Sequence, residues 1–243
     1  IMIIPKKISY KKIVNFFKKK KLDKLINESK TKDKSFLKLK KSKPYKPDLA
    51  DLYYLYQFII NNKRTTVLEM GSGWSSLIIS MALTELKKRY NTSKIRRGNP
   101  FELFILDNEK KYLNITRKRI ETYRKKGFLN IKVNYLFSIA KMTNYQGKIS
   151  TEFEKLPMCN PDFIYLDGPD QFNIKGKINN INTGHIDFVP MSCDILKIEN
   201  FLLPGTIILI DGRKANARYL KNHLKRTWRY VENIFKDQSL LFL

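Results

Sequence analysis

The chain has 243 residues and carries 48 Lys+Arg against 22 Asp+Glu, a formal net charge of +26. Its hydrophobic fraction of 42% excludes disorder along the whole length, because there is ample apolar material for a core. The longest nearly apolar stretch, Phe201 to Ile210, is broken by Pro204 and Gly205, far short of the ~20 residues of a membrane-spanning helix. The four apolar residues ahead of Lys6 and Lys7 are too few for a signal peptide. Cys159 and Cys193 are the only cysteines, too few for a disulfide framework or a zinc site. A cytoplasmic location is expected.

The charge is unevenly spread. Residues 1–47 hold 17 lysines against Asp23, Glu28 and Asp33, a net of +14, so just over half of the excess lies in the first fifth of the chain. Such a segment suits nucleic acid or another anionic partner, or is a solvated extension that binds nothing specific. Lys outnumbers Arg 37 to 11, and Lys, Ile and Asn abundance together suggests AT-rich coding as a further cause.

In chain order, residues 8–29 place Ile8, Ile13, Val14, Phe16, Phe17, Leu22, Leu25 and Ile26 among lysines, the pattern of one or two amphipathic helices. Residues 30–47 read as a linker. Asp48 follows Pro47 as an N-cap, and residues 49–62 read as a helix. From Thr65 the pattern alternates: strand 65–70, helix 77–89, strand 101–106, helix 112–126, strands 131–136 and 162–166, helix 192–201, strand 206–210, helix 215–226. Residues 228–235 and 239–243 are strand-like and joined too tightly for a parallel pair. The expected fold is α/β: a doubly wound, mostly parallel seven-stranded sheet with a C-terminal antiparallel hairpin over residues 48–243, preceded by a basic helical extension, 1–47.

The first strand runs into Glu69-Met70-Gly71-Ser72-Gly73-Trp74-Ser75-Ser76 and then a helix. Glycines there allow a tight turn and close approach of a ligand to a helix N-terminus. The next strand ends in Asp107-Asn108-Glu109, and an acid at that tip is placed to accept hydrogen bonds from the two hydroxyls of a ribose. Together they point to an adenosine-containing cofactor at the carboxyl edge of the sheet. Each residue also has a plain structural role open to it, a turn glycine or a capping acid.

At this point the chain resembles the class I methyltransferases that use S-adenosylmethionine. Val67-Leu68-Glu69-Met70-Gly71-Ser72-Gly73 is similar to their acid-x-Gly-x-Gly turn, and the terminal hairpin suits their seven-stranded sheet. The resemblance implies that Glu69 and the Gly71-Ser72-Gly73 backbone hold the methionine part of the cofactor. It implies that Asp107 takes the ribose hydroxyls, with Asn108 near the adenine and Ser138, where many members carry an acid, beside it. Trp74 stands in place of a third glycine, as a lid over the cofactor or as a core aromatic.

Two further acids mark a reaction site. The strands at 162–166 and 206–210 end in Asp167-Gly168-Pro169-Asp170 and Asp211-Gly212-Arg213. Carboxylates at neighbouring strand tips can orient a hydroxyl, act as general base or share a cation. Metal-dependent O-methyltransferases, which this pair resembles, place Asn after the second Asp. Gly212 stands there, so a divalent metal is not favoured. His185, in the long loop 171–190, is a third candidate base, or a surface histidine. Asp170 and Arg213 are candidate substrate contacts.

The Asp-Gly-Pro-Asp turn lacks the Asn/Asp-Pro-Pro-aromatic pattern of exocyclic base methylation, and neither cysteine follows a proline as a cytosine nucleophile does. The expected function is methyl transfer to oxygen of a small molecule or glycan. The alternatives are an RNA ribose methyltransferase using residues 1–47 and a non-enzymatic nucleotide-binding module. No feature specifies an oligomeric state.

Overall fold

A computed structural model describes residues 2–30, 45–90, 95, 97–185, 187–235 and 237–243. Residues 31–44, most of the expected linker, lie outside the described residues. In chain order the elements are α1 (Tyr10–Lys19), α2 (Asp23–Ser29), α3 (Leu49–Asn61), β1 (Thr66–Met70), α4 (Trp74–Arg89), β2 (Glu102–Asp107), α5 (Lys110–Lys125) and β3 (Lys132–Phe137). They continue as β4 (Ala140–Tyr145), β5 (Lys148–Phe153), β6 (Phe163–Leu166), α6 (Asp194–Ile198), β7 (Ile207–Ile210), α7 (Lys214–His223), β8 (Arg229–Val231) and β9 (Ser239–Phe242).

The main sheet has seven strands in the order β3-β2-β1-β6-β7-β9-β8. Its first five are parallel, and β9 runs antiparallel to both β7 and β8. The chain order reverses between β1 and β6, the switch point at which open α/β sheets bind ligands. Alternation along each strand feeds two cores, because successive side chains point to opposite faces. Val67, Leu103, Ile105, Phe163, Tyr165 and Leu209 face α3, α4 and α5. Leu68, Met70, Phe104, Leu106, Ile164 and Ile208 face α6 and α7. Burial on both sides explains the near-continuous apolar strands. Among the described residues no helix is long and apolar enough to cross a membrane.

The basic N-terminal helices are built into the first core. Ile13, Phe17, Leu22, Leu25 and Ile26 are buried there with residues of α3 and α4. Lys20 Nζ donates to Glu85 of α4 and to Tyr56 Oη, each at 2.7 Å. Burying five such side chains stabilises by roughly 7–15 kcal/mol, comparable with the whole stability of an ordinary domain.

Three elements differ from the sequence reading. The hairpin β4–β5 falls in a stretch given no structure; its turn, Gln146-Gly147, holds both residues at positive φ, the geometry of a two-residue hairpin loop. The helix expected over 192–201 is only α6 plus a 3-10 turn at Glu199–Phe201. The strand expected over 228–235 stops at Val231, just before Asn233 at φ 54°, a left-handed residue that ends extended pairing.

Candidate active site

The glycine turn leaves β1 at the switch point. Glu69 is fully buried on the α4 face and accepts hydrogen bonds from Ser75 Oγ, at 2.5 Å, and from Ser76 Oγ. Its carboxyl thus ties the end of β1 to the first turn of α4. Burial pushes its pKa up to about 8, against the two hydroxyl donors.

Gly71 needs its glycine twice over. Its φ is +112°, and a Cβ there would sit 3.0 Å from Gly168 N. Gly168 is reciprocal, since its own Cβ would lie 2.7 Å from Gly71 N. The turn after β1 and the turn after β6 are therefore in backbone contact, which places the expected cofactor turn directly beside Asp167.

Asp107, at the tip of β2, is 2% exposed. Ser72 Oγ donates to one carboxylate oxygen, and Glu109 N donates to the other at 2.8 Å. Burial raises its pKa to about 6, and both donors pull it down. Asn108 clamps the Asp170 backbone from both sides: its Oδ1 accepts from Asp170 N at 2.7 Å and its Nδ2 donates to Asp170 O at 3.1 Å. Ser138 N donates to Asp107 O, and its Oγ accepts from Lys155 N at 2.8 Å. Beside these residues lies a cleft of about 200 Å³ lined by Asn108, Lys110, Phe137, Ile139 and Lys175 among others. Lys110 Nζ stands 4.7 Å from the centre of the Phe137 ring.

On the other side of the switch point stand the two strand-tip acids. Tyr165 Oη donates to Asp211 Oδ2 at 2.6 Å. Burial raises the pKa of Asp211, with the Tyr165 hydrogen bond opposing the rise and the Asp237 carboxylate adding to it. Enclosure by protein and the Asp211 carboxylate raise the pKa of Asp167, while Arg213 lowers it. Asp167 is nevertheless exposed, so solvent limits that rise. Arg213 donates from Nη2 to Pro169 O at 3.0 Å, and its buried Nη1 has no hydrogen-bond partner. Desolvation, followed by the nearby Glu109 carboxylate, raises the pKa of Asp170.

Two sequence expectations find the side chain elsewhere. The His185 side chain is 61% exposed, and its ring meets Asp187 and Phe188 rather than Asp167 or Asp211. Trp74 is the core aromatic and not a lid: it is 6% exposed, its indole N–H donates to Glu28 Oε2 of α2 at 2.6 Å, and the Arg119 guanidinium stacks 4.1 Å from its ring.

Several neighbours were not singled out from sequence. Tyr45, although 62% exposed, lies within electrostatic reach of Asp170, Arg213 and Asp167. The Tyr112 hydroxyl is pushed up to about 12 by burial and then by Asp170. Asp51 and Asp237 approach Asp211. No periodicity or motif marks any of these; each is brought in by tertiary folding.

The sheet order and the Gly71–Gly73 turn at its switch point define a class I methyltransferase fold. No family model matches the chain, and it shows no significant similarity to a curated protein. Solved structures similar to it include a putative caffeoyl-CoA O-methyltransferase from Staphylococcus aureus, at 14% identity and a TM-score of 0.44, covering 93% of this chain and 99% of that one. Another is an O-methyltransferase from Bacillus cereus in complex with SAH, at 12% identity and 0.43, covering 98% and 91%. A third is a putative rRNA methylase from Clostridium thermocellum, at 14% and 0.41, covering 82% and 97%.

Proposed function

We propose that the chain is an S-adenosylmethionine-dependent methyltransferase acting on an oxygen of a small molecule or glycan. One observation carries the reading. A nearly buried carboxylate, Asp107, stands at the tip of β2 against the Gly71–Gly73 turn and beside the cleft at Asn108 and Phe137. Burying an acid with only two donors raises its free energy. Two ribose hydroxyls would supply the missing donors, so these residues fit the cofactor. The turn backbone at Ser72 and Gly73 would hold its methionine part, with Glu69 bracing the turn from below. The cleft would take the adenine against Phe137 and Ile139.

When bound, the cofactor supplies an electrophilic methyl group on a sulfonium. The protein positions the acceptor and receives its proton. Asp167 abuts the glycine turn and is exposed to solvent, and its upward-shifted pKa suits a general base. The Asp167 carboxylate would accept the proton of the acceptor hydroxyl, freeing its oxygen to take the methyl that the cofactor would supply, with the neutral thioether as leaving group. Asp211, held by Tyr165, orients the hydroxyl. The free Nη1 of Arg213 favours an acceptor that carries an anionic or carbonyl oxygen. Calorimetry with S-adenosylmethionine tests the cofactor reading, and methyl transfer from labelled cofactor to hydroxylated acids tests the acceptor class.

A second reading, RNA ribose methylation, is favoured by one feature. Lys11, Lys12, Lys18 and Lys19 are exposed on α1, whose apolar side is consumed by the core. Replacing those four lysines with glutamine should abolish salt-dependent RNA binding if RNA is the substrate. Deleting residues 1–47 would instead strip core residues.

A further inference from the structure

We propose that the amino edge of the sheet, opposite the glycine turn, docks on an anionic lipid bilayer. β1, β6 and β7 are parallel neighbours, so the segments that enter them meet at one edge. The two most exposed large apolar side chains among the described residues stand there. Met158, at 98%, lies in the segment entering β6, and Phe201, at 73%, in the segment entering β7. Leu203 is exposed on the same segment as Phe201, and Ile3 and Ile4 are exposed close to the start of β1. Single apolar side chains on a surface are ordinary, whereas a group gathered on one edge marks an interaction surface.

Hydrogen bonds join these segments into one surface. Asn160 Nδ2 donates to Phe201 O at 3.0 Å, which ties the segment carrying Met158 to the one carrying Phe201. Arg64 links the starts of β1 and β7: its Nη1 donates to Gly205 O and its Nε to Asn62 O, each at 2.6 Å. The Asn62 side chain accepts from Ile3 N at 2.7 Å and donates to Ile3 O at 2.9 Å. The apolar tips are therefore presented by tethered backbone. Their neighbours Leu202, Phe163 and Ile207 are the side chains buried in the core, so the exposed ones are left over for a partner.

Charge selects the occupant. Acids bordering the edge are engaged internally. Asp162 accepts from the amides of Thr65 and Thr66, Glu199 from those of Lys225 and Arg226, and Glu85 pairs with Lys20 and Arg89. Lys63, Lys88 and Lys225 are exposed around the edge, and exposed Lys6 and Lys7 follow close behind Ile4. Apolar tips ringed by lysines suit the boundary between acyl chains and anionic headgroups. A second copy would bring the same lysines face to face, on a chain of net charge +26. Phosphate contacts with nucleic acid would engage the lysines but leave the aliphatic tips in water. β1 is 5 residues long, so the cofactor edge stands roughly 15 Å away and stays open to solution in the docked protein.

The proposal does not depend on the methyl-transfer reading, and vesicle binding is its direct readout. The full chain is sedimented with vesicles of phosphatidylcholine alone and of phosphatidylcholine with about one-third phosphatidylserine. Partition onto the anionic vesicles is expected to be strong and to weaken with salt, and partition onto the neutral ones to be weak. Net charge alone would give that much, so the deciding variant keeps the charge. Met158→Ser combined with Phe201→Ser should lower partition onto anionic vesicles about 10-fold or more. Both side chains are exposed, so the melting temperature should stay that of the parent; should it fall, Ile4→Ser combined with Leu203→Ser serves instead. No partition onto anionic vesicles, or equal partition by the charge-preserving variant, would overturn the proposal. A parent dimer, or binding to RNA, that the same variant abolishes would assign the edge to another partner and overturn it as well.

Discussion

Replacing Gly168 by Ala probes the joint on which both halves of the site depend. The added Cβ would lie 2.7 Å from Gly71 N and 2.9 Å from both Gly71 Cα and Met70 C. Comfortable carbon contacts begin near ~3.5 Å, and all three neighbours are main-chain atoms that cannot swing aside. The turns must separate by close to an ångström. Overpacking of this kind costs about 1–3 kcal/mol. Separation also strains the bonds from Asp167 N to Met70 O at 2.9 Å and from Gly71 N to Leu106 O at 2.8 Å, each contributing about 1 kcal/mol. The expected loss is about 2–5 kcal/mol, or a fall of roughly 4–20 °C in melting temperature for a chain of this size. Differential scanning calorimetry measures it, with Gly98→Ala as control because a Cβ there meets nothing within 4 Å. The control should change stability by less than about 0.5 kcal/mol. A Gly168→Ala protein melting within about 2 °C of the parent would refute the claim that the two turns are locked together.

Other outcomes follow from the same geometry. Asp107→Ala should weaken S-adenosylmethionine binding by about 2–4 kcal/mol, roughly 30- to 1000-fold, by removing charged hydrogen bonds to the ribose; calorimetry reads it. Glu69, with its pKa raised to about 8, keeps a proton in the folded state that the unfolded chain releases near pH 4.5. Its contribution to stability therefore falls as pH rises through that window, by at most about 5 kcal/mol. Glu69→Gln should flatten this part of the profile in urea titrations run from pH 5 to pH 8. Glu28→Gln should lower the melting temperature by about 2–4 °C by weakening the bond from the Trp74 indole to a partly exposed carboxylate. His185→Ala should leave turnover within about twofold, because the ring is exposed and away from Asp167.

What the sequence made legible were features with local physics. The Gly71–Gly73 turn needs residues without a Cβ, and strand-tip acids such as Asp107, Asp167 and Asp211 stand where an apolar run ends. Asp48 is a local cap too, accepting from Ala50 N at 2.7 Å. The misses were tertiary. Trp74 could have been lid or core, and the choice was made by Glu28 and Arg119, 46 and 45 positions away. The cluster at Asp51 and Asp237 joins two ends of the chain that pattern cannot connect. The N-terminal helices were half visible: their lysines suggested an extension, while their apolar spacing, Ile13 to Phe17 and Leu22 to Ile26, is what seats them in the core. The β4–β5 hairpin had one local signal, the Gln146-Gly147 turn, flanked by strands too polar to stand out.

The central claim is that the Asp107 edge of the sheet binds S-adenosylmethionine. Titration calorimetry of the full chain with that cofactor tests it most directly. The account predicts one site per chain, saturating in the micromolar range and lost in Asp107→Ala. An absence of binding at millimolar cofactor, or binding that Asp107→Ala leaves unchanged, would contradict it.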